Sequence, residues 1–258
     1  MIDKFYSDEL DQALKSYKNN GVVIFKDLVP ENLIKSQSLQ INKLISNQFA
    51  KVFKNNTKTL NVDKKLIALA MKDDRYRERL YNLIQELPVN SDFGAYKKFY
   101  EISKKLGVKT PSLRASQIRV DMPNEKRFLI PPHQEIKGIR SDNTLTFITA
   151  IKDITNKMGA LRLAKGSFKL GPLQPEFSNN SEYQYVSEEL YKNFTLKQVP
   201  LKKGETIMFN MYTIHGSCPN LTSNKIRWSH VLRIEDSANM PYLNLDDQFQ
   251  KFDFKEAR

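Results

Sequence analysis

Residues 204–234 constrain the fold more than any other stretch, because they have the pattern of a strand, a loop and a second strand. Residues 206–213 form the first predicted strand, and residues 216–225 carry Gly, Pro, Asn and Ser, which favour turns. The second strand follows and is rich in β-branched and aromatic side chains. His215 lies where the first strand ends, and Arg227 lies near the beginning of the second. If these strands pair antiparallel, both side chains can face one cavity, with a metal ligand beside an anchor for a carboxylate.

A second candidate segment is Pro-Pro-His-Gln-Glu at residues 131–135. Strand side chains two residues apart lie on one face, so an extended segment would present His133 and Glu135 together. With His215 they make two imidazoles and one carboxylate, a ligand set that suits non-haem iron(II) oxygen chemistry when other coordination positions stay open. A His-x-Glu step alone often arises by chance, but its combination with a later histidine and arginine favours a metal site.

Each of these residues has an ordinary structural interpretation when it is taken singly. A histidine on a strand is more often a hydrogen-bonded structural residue than a ligand, and Arg227 could form a surface ion pair. Cys218 could be a small buried residue. The chain has three histidines, however, and two of them occupy the motif positions. The third, His230, lies on the opposite face of its strand from Arg227, so we predict a structural role for it.

Three blocks of sequence carry a family pattern: HQE at 133–135, MGALRLAKGSFKLG at 158–171 and GETIMFNMYTIHGSCPNLTSNKIR at 204–227. The middle block is close to N-G-x-L-x-x-x-x-G-S-H-x-x-G, and the last contains H-G-S-x-x-N followed by a basic strand. With these blocks the chain resembles the phytanoyl-CoA dioxygenase family of iron(II)/2-oxoglutarate oxygenases. The similarity covers roughly residues 20–235, and its specific motifs lie within roughly 113–234.

The resemblance implies a metal site, two co-substrates and a reaction. The three iron(II) ligands would be His133, Glu135 and His215. The co-substrate 2-oxoglutarate would chelate the iron through its keto oxygen and nearest carboxylate, while Arg227 and the Ser217 hydroxyl hold its far carboxylate. Gln134 also matches a common family residue. With O2 as the second co-substrate, the implied reaction is oxidative decarboxylation to succinate and CO2, coupled to hydroxylation of a substrate C–H bond.

Two positions depart from the family pattern. Glu135 stands where the family usually has Asp, but one extra methylene can still reach a metal, and related oxygenases use Glu there. Phe168 stands where many members carry a histidine that is not an iron ligand, so this departure concerns local contacts rather than the metal. Hydroxylation is the default outcome; a halogenase would leave the carboxylate position to a halide, and Glu135 argues against that.

Two further polar residues are candidate co-substrate contacts. Gln117 shares one face of the predicted strand 113–122 with Arg119. Facing inward, these two could contact co-substrate or substrate; facing outward, they would be ordinary solvated residues. Thr146, on the predicted central strand 144–151, is the other candidate contact.

The remaining patterns predict the fold class. Helices are predicted at 7–19, 30–54 and 93–106, with one or two further helices within 62–87 and a short buried strand at 22–25. Eight later strands are predicted at 113–122, 127–130, 133–137, 144–151, 159–164, 196–200, 205–213 and 226–234. Eight short strands separated by turn signals predict a mainly β protein, a double-stranded β-helix or cupin-like jelly-roll barrel, with N-terminal helices packed on one side.

The predicted domain organisation has three parts. Residues 1–110 form an N-terminal helical region, residues 111–238 form the catalytic core, and residues 239–258 form a C-terminal tail. The core carries an insertion at 172–200, which is equally well explained as a substrate-specificity lid or as an ordinary surface insertion.

Length and composition limit the cellular setting. The first twenty residues contain charges throughout, and the longest early apolar run, at 22–25, is too short to span a bilayer. The single cysteine excludes an internal disulfide and agrees with a reducing compartment. We therefore expect a cytoplasmic protein with no membrane span.

The net charge of +12 and the pI near 9.5 have two interpretations. One is a nucleic-acid or membrane partner; the other is a surface rich in lysine. The lysines are scattered and no known nucleic-acid module is recognisable, which favours the second. The charge could also attract an anionic substrate, and a small molecule is the partner we expect. The rival class is a non-catalytic jelly-roll module that binds a sugar, lipid or nucleic acid, and the complete ligand set argues against it.

Overall fold

A computed structural model describes residues 1–54, 59–136, 139–177 and 183–240. Within them the helices are α1 (Leu10–Asn20), α2 (Glu31–Phe53), α3 (Val62–Lys72), α4 (Arg75–Gln85), α5 (Pro88–Gly94), α6 (Lys97–Lys105) and α7 (Glu188–Tyr191). The strands are β1 (Lys4–Phe5), β2 (Val22–Phe25), β3 (Pro111–Asp121), β4 (Thr144–Ala150), β5 (Arg162–Ala164), β6 (Glu176–Phe177), β7 (Gln184–Tyr185), β8 (Leu196–Gln198), β9 (Thr206–Asn210), β10 (His215–Gly216) and β11 (Arg227–Asp236). The described chain is thus mixed α/β rather than mainly β. The predicted tail beyond residue 240 lies outside the described residues.

Six strands form the main sheet, in the order β1-β2-β9-β4-β11-β3. β1 is parallel to β2, and the other neighbouring strands are antiparallel. Strand β11 lies between β4 and β3, and Val231 is the register partner of both Ile148 and Gln117. Because β1 and β2 belong to this sheet, the region before residue 111 contributes strands as well as the predicted helices.

A smaller sheet faces the main one. It has the order β10-β5-β8 and is antiparallel throughout. Its apolar side chains, such as Leu163, pack in one buried cluster with Ile24 and Ile207 of the main sheet. Strands β6 and β7 form a separate antiparallel pair within the predicted insertion. Two facing sheets are the arrangement expected of a double-stranded β-helix, and closure into a complete barrel stays a prediction.

The two faces of the main sheet have different surroundings because strand side chains alternate. On β11, Trp228 and Leu232 join the large buried cluster that includes helix residues such as Phe99. The opposite face of β11 lines a cavity with Arg227, Ser229, Val231 and Arg233. The N-terminal helices therefore cover one face of the sheet, as predicted, and leave the other face for the site.

Pro88 begins a helix. It is the first residue of α5, where proline lacks only an N–H that would have no intrahelical partner. Residues 62–87, predicted as one or two helices, form the pair α3 and α4, whereas the single helix predicted at 93–106 is divided between α5 and α6.

Two predicted strands do not form. Residues 127–130 are turn and loop, and residues 133–136 are turn and loop apart from one bridge at His133. Pro131 and Pro132 precede this bridge and have no N–H to donate to a strand ladder. The last residue of the predicted strand 133–137 lies outside the described residues.

The pairing expected for the segment 204–234 is wrong. Strand β9 ends at Asn210, whose side-chain oxygen accepts a hydrogen bond of 2.8 Å from the Tyr212 N–H, as in an Asx turn. His215 then lies in β10 of the smaller sheet, while β4 separates β9 from β11 in the main sheet. The two strands are therefore not neighbours, although His215 and Arg227 do line the same cavity.

Among the described residues, no helix has both the length and the apolar character needed to cross a membrane.

Candidate metal centre

His133 and His215 are held together by their own backbones. The His133 N–H donates to the His215 carbonyl at 2.9 Å, and the His215 N–H donates to the His133 carbonyl at 3.0 Å. The two imidazole centroids are 4.3 Å apart. Glycine next to the second histidine eases this approach, because a Cβ on Gly216 would lie 3.0 Å from the Pro132 nitrogen, which is a tight contact. An isolated bridge, rather than a continuous strand, thus brings the two histidines together.

Both histidines have their Nδ1 atoms occupied by backbone carbonyls. His133 Nδ1 lies 2.8 Å from the Pro131 carbonyl, and His215 Nδ1 lies 2.9 Å from the Thr213 carbonyl. A carbonyl oxygen only accepts, so each Nδ1 carries a proton, and a ring in its neutral form then has its lone pair on Nε2. Burial, with the neighbouring His215 as a second cause, lowers the pKa of His133 to about 3, so this ring is neutral near neutral pH. In its neutral form, each ring therefore has the tautomer that metal ligation through Nε2 requires.

Glu135 supplies the carboxylate beside the two rings. Its backbone N–H donates to the Met211 carbonyl at 2.9 Å, which fixes the position of the residue. Its Oε1 lies 3.4 Å from His215 Nε2 and 2.5 Å from Arg233 Nη2. Burial by itself would raise the pKa of Glu135, but Arg233 and His215 outweigh it and hold the pKa well below its ordinary value. Glu135 is therefore an anion, as a metal ligand must be.

The three side chains fit a single metal ion. One potential ligand atom from each of His133, Glu135 and His215 lies within 4.8 Å of the others, and all three residues are buried. Two imidazole nitrogens and one carboxylate oxygen form the facial triad of non-haem iron(II) oxygenases. The Glu in place of the usual Asp does not prevent this convergence.

Gln134 fastens the triad segment to the insertion at 172–200. Its side-chain amide donates to the Gly171 carbonyl at 2.9 Å and to the Tyr212 carbonyl at 2.8 Å, and its oxygen accepts from the Leu173 N–H at 2.8 Å. The neighbouring backbone makes a further contact, from the Val186 N–H to the Pro132 carbonyl at 2.8 Å. Because Gln134 is buried, these bonds are shielded from water. The insertion is thus connected directly to the residues on either side of His133.

Arg227 lies in the cavity but already has protein partners. Its Nε and Nη2 donate to one oxygen of Asp121 at 2.9 Å and 2.7 Å, and its Nη1 donates to the Gly159 carbonyl. Burial alone would raise the pKa of Asp121, but Arg227 and Arg119 outweigh it and lower this pKa. Asp121, which is not predicted from the sequence as a site residue, therefore orients the predicted anchor.

Arg119 connects this ion pair to Ser217. Its Nε donates to the two oxygens of Asp121 at 3.0 Å and 3.2 Å, and its Nη2 donates to the Ser217 hydroxyl at 3.1 Å and to the Phe128 carbonyl at 2.7 Å. Two guanidinium groups therefore surround one carboxylate. This end of the cavity keeps one uncompensated positive charge, next to the hydroxyl of the His-Gly-Ser step.

The cavity between the sheets joins the triad to these arginines. It has a volume of about 60 Å³ and is lined by the three predicted ligands together with Ser217, Arg119 and Arg227. Its remaining wall is largely apolar and includes Ile148, Leu161, Ile207 and Val231. An elongated anion that ligated a metal at the triad could therefore reach the two arginines within one apolar channel.

The other predicted site residues have varied locations. Gln117 is exposed on the cavity face of β3 and is not among the residues that line the cavity. Thr146 is buried on the cavity face of β4, opposite Arg233, and does not line the cavity either. His230 lies on the helix-covered face, 3.9 Å from the Phe93 ring, as expected of a structural residue. The predicted roles of these residues stay predictions.

Phe168 has a local packing explanation. Its ring lies against Gly21, which ends α1 in the left-handed conformation with φ of 70°. A Cβ on Gly21 would overlap the ring, so this glycine is needed both for its backbone conformation and for the close approach. The phenyl ring in place of the family histidine thus covers a helix end.

Arg233 is the residue next to the triad that the sequence interpretation missed. It lies six positions after Arg227 on the same strand, so strand parity places both side chains on one face. That parity was the available signal. No spacing rule, however, indicates that the Arg233 guanidinium contacts Glu135, because the residues are 98 positions apart.

Comparison with known proteins gives a family and related folds. A family model described as "Phytanoyl-CoA dioxygenase (PhyH)" matches residues 17–228. The chain is 24% identical over 223 residues to "Phytanoyl-CoA dioxygenase, peroxisomal" from Homo sapiens, across 81% of this chain and 63% of that protein. The chain therefore spans less than two thirds of the length of this relative.

Two solved structures illustrate the shared fold. One is the epimerase SnoN in complex with Fe3+, alpha ketoglutarate and nogalamycin RO, with a TM-score of 0.57, 14% identity, and coverage of 89% of this chain and 84% of SnoN. The other is the non-heme alpha ketoglutarate dependent carbocyclase SnoK from nogalamycin biosynthesis, with a TM-score of 0.56, 14% identity, and coverage of 87% of this chain and 83% of SnoK. At such identities the likeness concerns the fold alone.

The family match covers the residues that the geometry brings together. The matched region includes the two segments that supply the triad and ends at residue 228, just beyond Arg227. The resemblance stated from the three sequence blocks is thereby confirmed, and the chain belongs to the phytanoyl-CoA dioxygenase (PhyH) family of iron(II)/2-oxoglutarate-dependent oxygenases.

Proposed function

We propose that this chain is an iron(II)/2-oxoglutarate-dependent dioxygenase that hydroxylates a C–H bond of a small metabolite and releases succinate and CO2. One observation carries the proposal: His133, His215 and Glu135 bring their ligand atoms within 4.8 Å of one another. Both rings also have their Nδ1 atoms bonded to carbonyls, which leaves Nε2 free to ligate.

The triad would hold iron(II) through two neutral nitrogens and one anionic oxygen. Three protein ligands occupy one face of an octahedral ion and leave the other face for small molecules. Bound iron(II), together with 2-oxoglutarate, supplies the activation of O2 and the removal of a hydrogen atom from the substrate. The part of the chain is to orient the ligands, which it does through the backbone bridge and the carbonyls of Pro131 and Thr213.

The arginine-rich end of the cavity would hold the far carboxylate of 2-oxoglutarate. Arg227 and Arg119 carry two positive charges, Asp121 carries one negative charge, and one carboxylate would neutralise the remainder. A net charge of zero is favoured in a buried site, because burying an unpaired charge costs free energy. Ser217, which accepts from Arg119, has a hydroxyl proton to donate to the same carboxylate.

The apolar wall between the two ends would exclude water from the co-substrate. Ile148, Ile207 and Val231 offer no hydrogen bonds, so a ligand there is held by its two ends. Exclusion of bulk water also strengthens the ion pair with Arg227, because the local dielectric is low.

The most specific part of the proposal is what happens to the substrate after it loses a hydrogen atom. The fold neighbours SnoN and SnoK are described as an epimerase and a carbocyclase. Hydroxylation adds one oxygen atom to the substrate, epimerisation leaves its mass unchanged, and oxidative ring closure removes two hydrogens. We choose hydroxylation because it is the reaction that the family resemblance implies. The mass of the product distinguishes the three reactions.

The test is succinate release across a library of small metabolites, with iron(II), 2-oxoglutarate and O2 supplied and each product analysed by mass. The expected result is at least one metabolite that raises succinate formation above the substrate-free level and gains one oxygen atom. A His215→Ala variant serves as the control and should form no succinate. Wild-type chain that forms no succinate with any metabolite, and does not bind iron(II), would support the rival interpretation of a non-catalytic jelly-roll binding module.

A further inference from the structure

Arg233 is a cation beside the carboxylate of the triad. Its Nη2 donates to Glu135 Oε1 at 2.5 Å, and its side chain lines the cavity. Its register partner on β4 is Thr146, so the two side chains are close neighbours on one face of the sheet. Arg233 lies at the metal end of the cavity and the buried Thr146 lies behind it on β4, whereas Arg227 lies at the far end of β11.

Both members of the pair have buried polar atoms without a partner among the described residues. These atoms are Arg233 Nε and Thr146 Oγ1, and Thr146 is fully buried. Buried donors normally have partners, because leaving one unsatisfied costs free energy. A guanidinium N–H and a hydroxyl are the donor types that proteins use to bind a carboxylate. Two such donors on adjacent strands indicate that a ligand completes them.

The surroundings of this pair add positive charge. Two residues farther along β11, the fully buried Glu235 accepts from Arg140 Nη2 at 2.6 Å and lies 3.7 Å from Arg114 Nε. Arg114 occupies a β-bulge opposite the Arg233–Ile234 step, and bulges commonly redirect a side chain next to an active site. Three arginines therefore accompany two glutamates at this end of the sheet, as far as the described residues show.

The position separates this cluster from the co-substrate anchor. Arg233 is six residues from Arg227, which corresponds to a separation on the order of 20 Å along an extended strand. If 2-oxoglutarate runs from the triad toward Arg227, the Arg233 side lies away from its far carboxylate. We propose that Arg233, with the buried Thr146 hydroxyl behind it, forms a substrate subsite that binds a carboxylate group of the substrate beside the metal. This inference rests on the proposed function and specifies its substrate class as carboxylic acids.

The test measures binding of small acids and of their uncharged amides. The chain is loaded with iron(II) and 2-oxoglutarate without O2, and its visible charge-transfer band is recorded first, because that band reports the proposed function separately. Butyrate, hexanoate and benzoate are then titrated calorimetrically, each against its amide. We expect at least one acid to bind about tenfold or more tightly than its amide, as a charge-assisted contact should provide.

Three variants identify the residues responsible. Arg233→Gln and Thr146→Val should each reduce the preference for the acid to about threefold or less, while the dissociation constant of 2-oxoglutarate changes by less than about threefold. Thr149→Val is the matched control, since Thr149 lies on the same strand but on the opposite face, where it bonds to Thr206. It should retain the full preference. If Arg233→Gln fails to hold iron, Thr146→Val decides the question.

Three results would overturn the proposal. The first is a wild-type chain that shows the charge-transfer band but binds no acid more tightly than its amide. The second is a preference that survives in Thr146→Val. The third is an Arg233→Gln chain whose 2-oxoglutarate affinity falls by about tenfold, which would assign Arg233 to the co-substrate site instead. Absence of the band itself would count against the proposed function, not against this subsite alone.

Discussion

His133 and His215 donate backbone hydrogen bonds to each other, at 2.9 Å and 3.0 Å, although they are 82 residues apart in the chain (215 minus 133). Each then bonds its own Nδ1 to the carbonyl two residues before it, Pro131 or Thr213. The two segments thus have the same local arrangement, related across one antiparallel bridge. The geometry of the candidate metal site is consequently a property of the backbone, and it needs only the side chains to be histidine.

Removal of one histidine should abolish iron binding. We expect His215→Ala to lower iron(II) affinity by about a hundredfold or more, because two ligands remain where three are needed. The measurement is iron bound per chain after equilibrium dialysis without O2. The matched control is His230→Gln, which changes the histidine on the helix-covered face and should keep full iron content. Equal iron loss in both variants would contradict the assignment of the triad.

Removal of the predicted anchor should affect the co-substrate rather than the metal. We expect Arg227→Ala to raise the 2-oxoglutarate concentration needed for half-maximal succinate formation by about tenfold or more, since one charge-assisted pair is lost. Iron content measured on the same samples should stay at the wild-type level. An Arg227→Ala chain that loses iron as completely as His215→Ala would show that the arginine supports the metal site instead.

Gln134 should control the order of the insertion. In Gln134→Leu, the Leu173 N–H and the carbonyls of Gly171 and Tyr212 lose their side-chain partner. We expect the free energy of unfolding to fall by about 2–4 kcal/mol, and hydrogen exchange to accelerate at the Leu173 amide. Denaturant unfolding and amide exchange measure the two effects. Unchanged exchange at Leu173 would mean that the insertion is held independently of the triad segment.

His230 should make stability depend on pH. Burial lowers its pKa from 6.5 to about 3, and its ring nitrogens bond to Gln37 and Ser116, neither of which ionises. Below a pKa of 6.5 the unfolded chain binds a proton that the folded chain does not accept until about pH 3, so this contribution is fully present above pH 6.5 and is lost as pH falls.

The matching variant is His230→Gln. Between about pH 7 and pH 5, we expect the wild-type free energy of unfolding to decrease by about 2 kcal/mol more than that of the variant. His133 titrates in both chains and cancels in the difference. Urea unfolding at several pH values measures the two slopes, and parallel slopes would show that His230 does not contribute.

The sequence predicted the ligands well because each belongs to a local pattern. His133, Glu135 and His215 lie in short blocks whose residue types and spacing indicate an iron(II) site. The pattern could not show how they meet: the predicted strand at 133–137 is a turn held by one bridge, and the predicted partner strands β9 and β11 are separated by β4. Strand order depends on contacts between distant residues, which alternation within one segment does not report.

Partners from distant segments were equally inaccessible. Strand parity correctly placed His230 away from Arg227, since side-chain alternation is a local rule. The contact of Arg233 with Glu135 and the pairing of Arg227 with Asp121 join residues 98 and 106 positions apart. Such ion pairs follow from the arrangement of strands, so the charge balance of the cavity emerges only once the sheet is known.

The most direct test is a titration of the metal-free chain with iron(II) and 2-oxoglutarate in the absence of O2. The account predicts one iron bound per chain and a weak visible charge-transfer band that forms only when both are present, and that is absent in His215→Ala. A wild-type mixture that stays colourless at saturating concentrations, or a band of equal strength in His215→Ala, would contradict it.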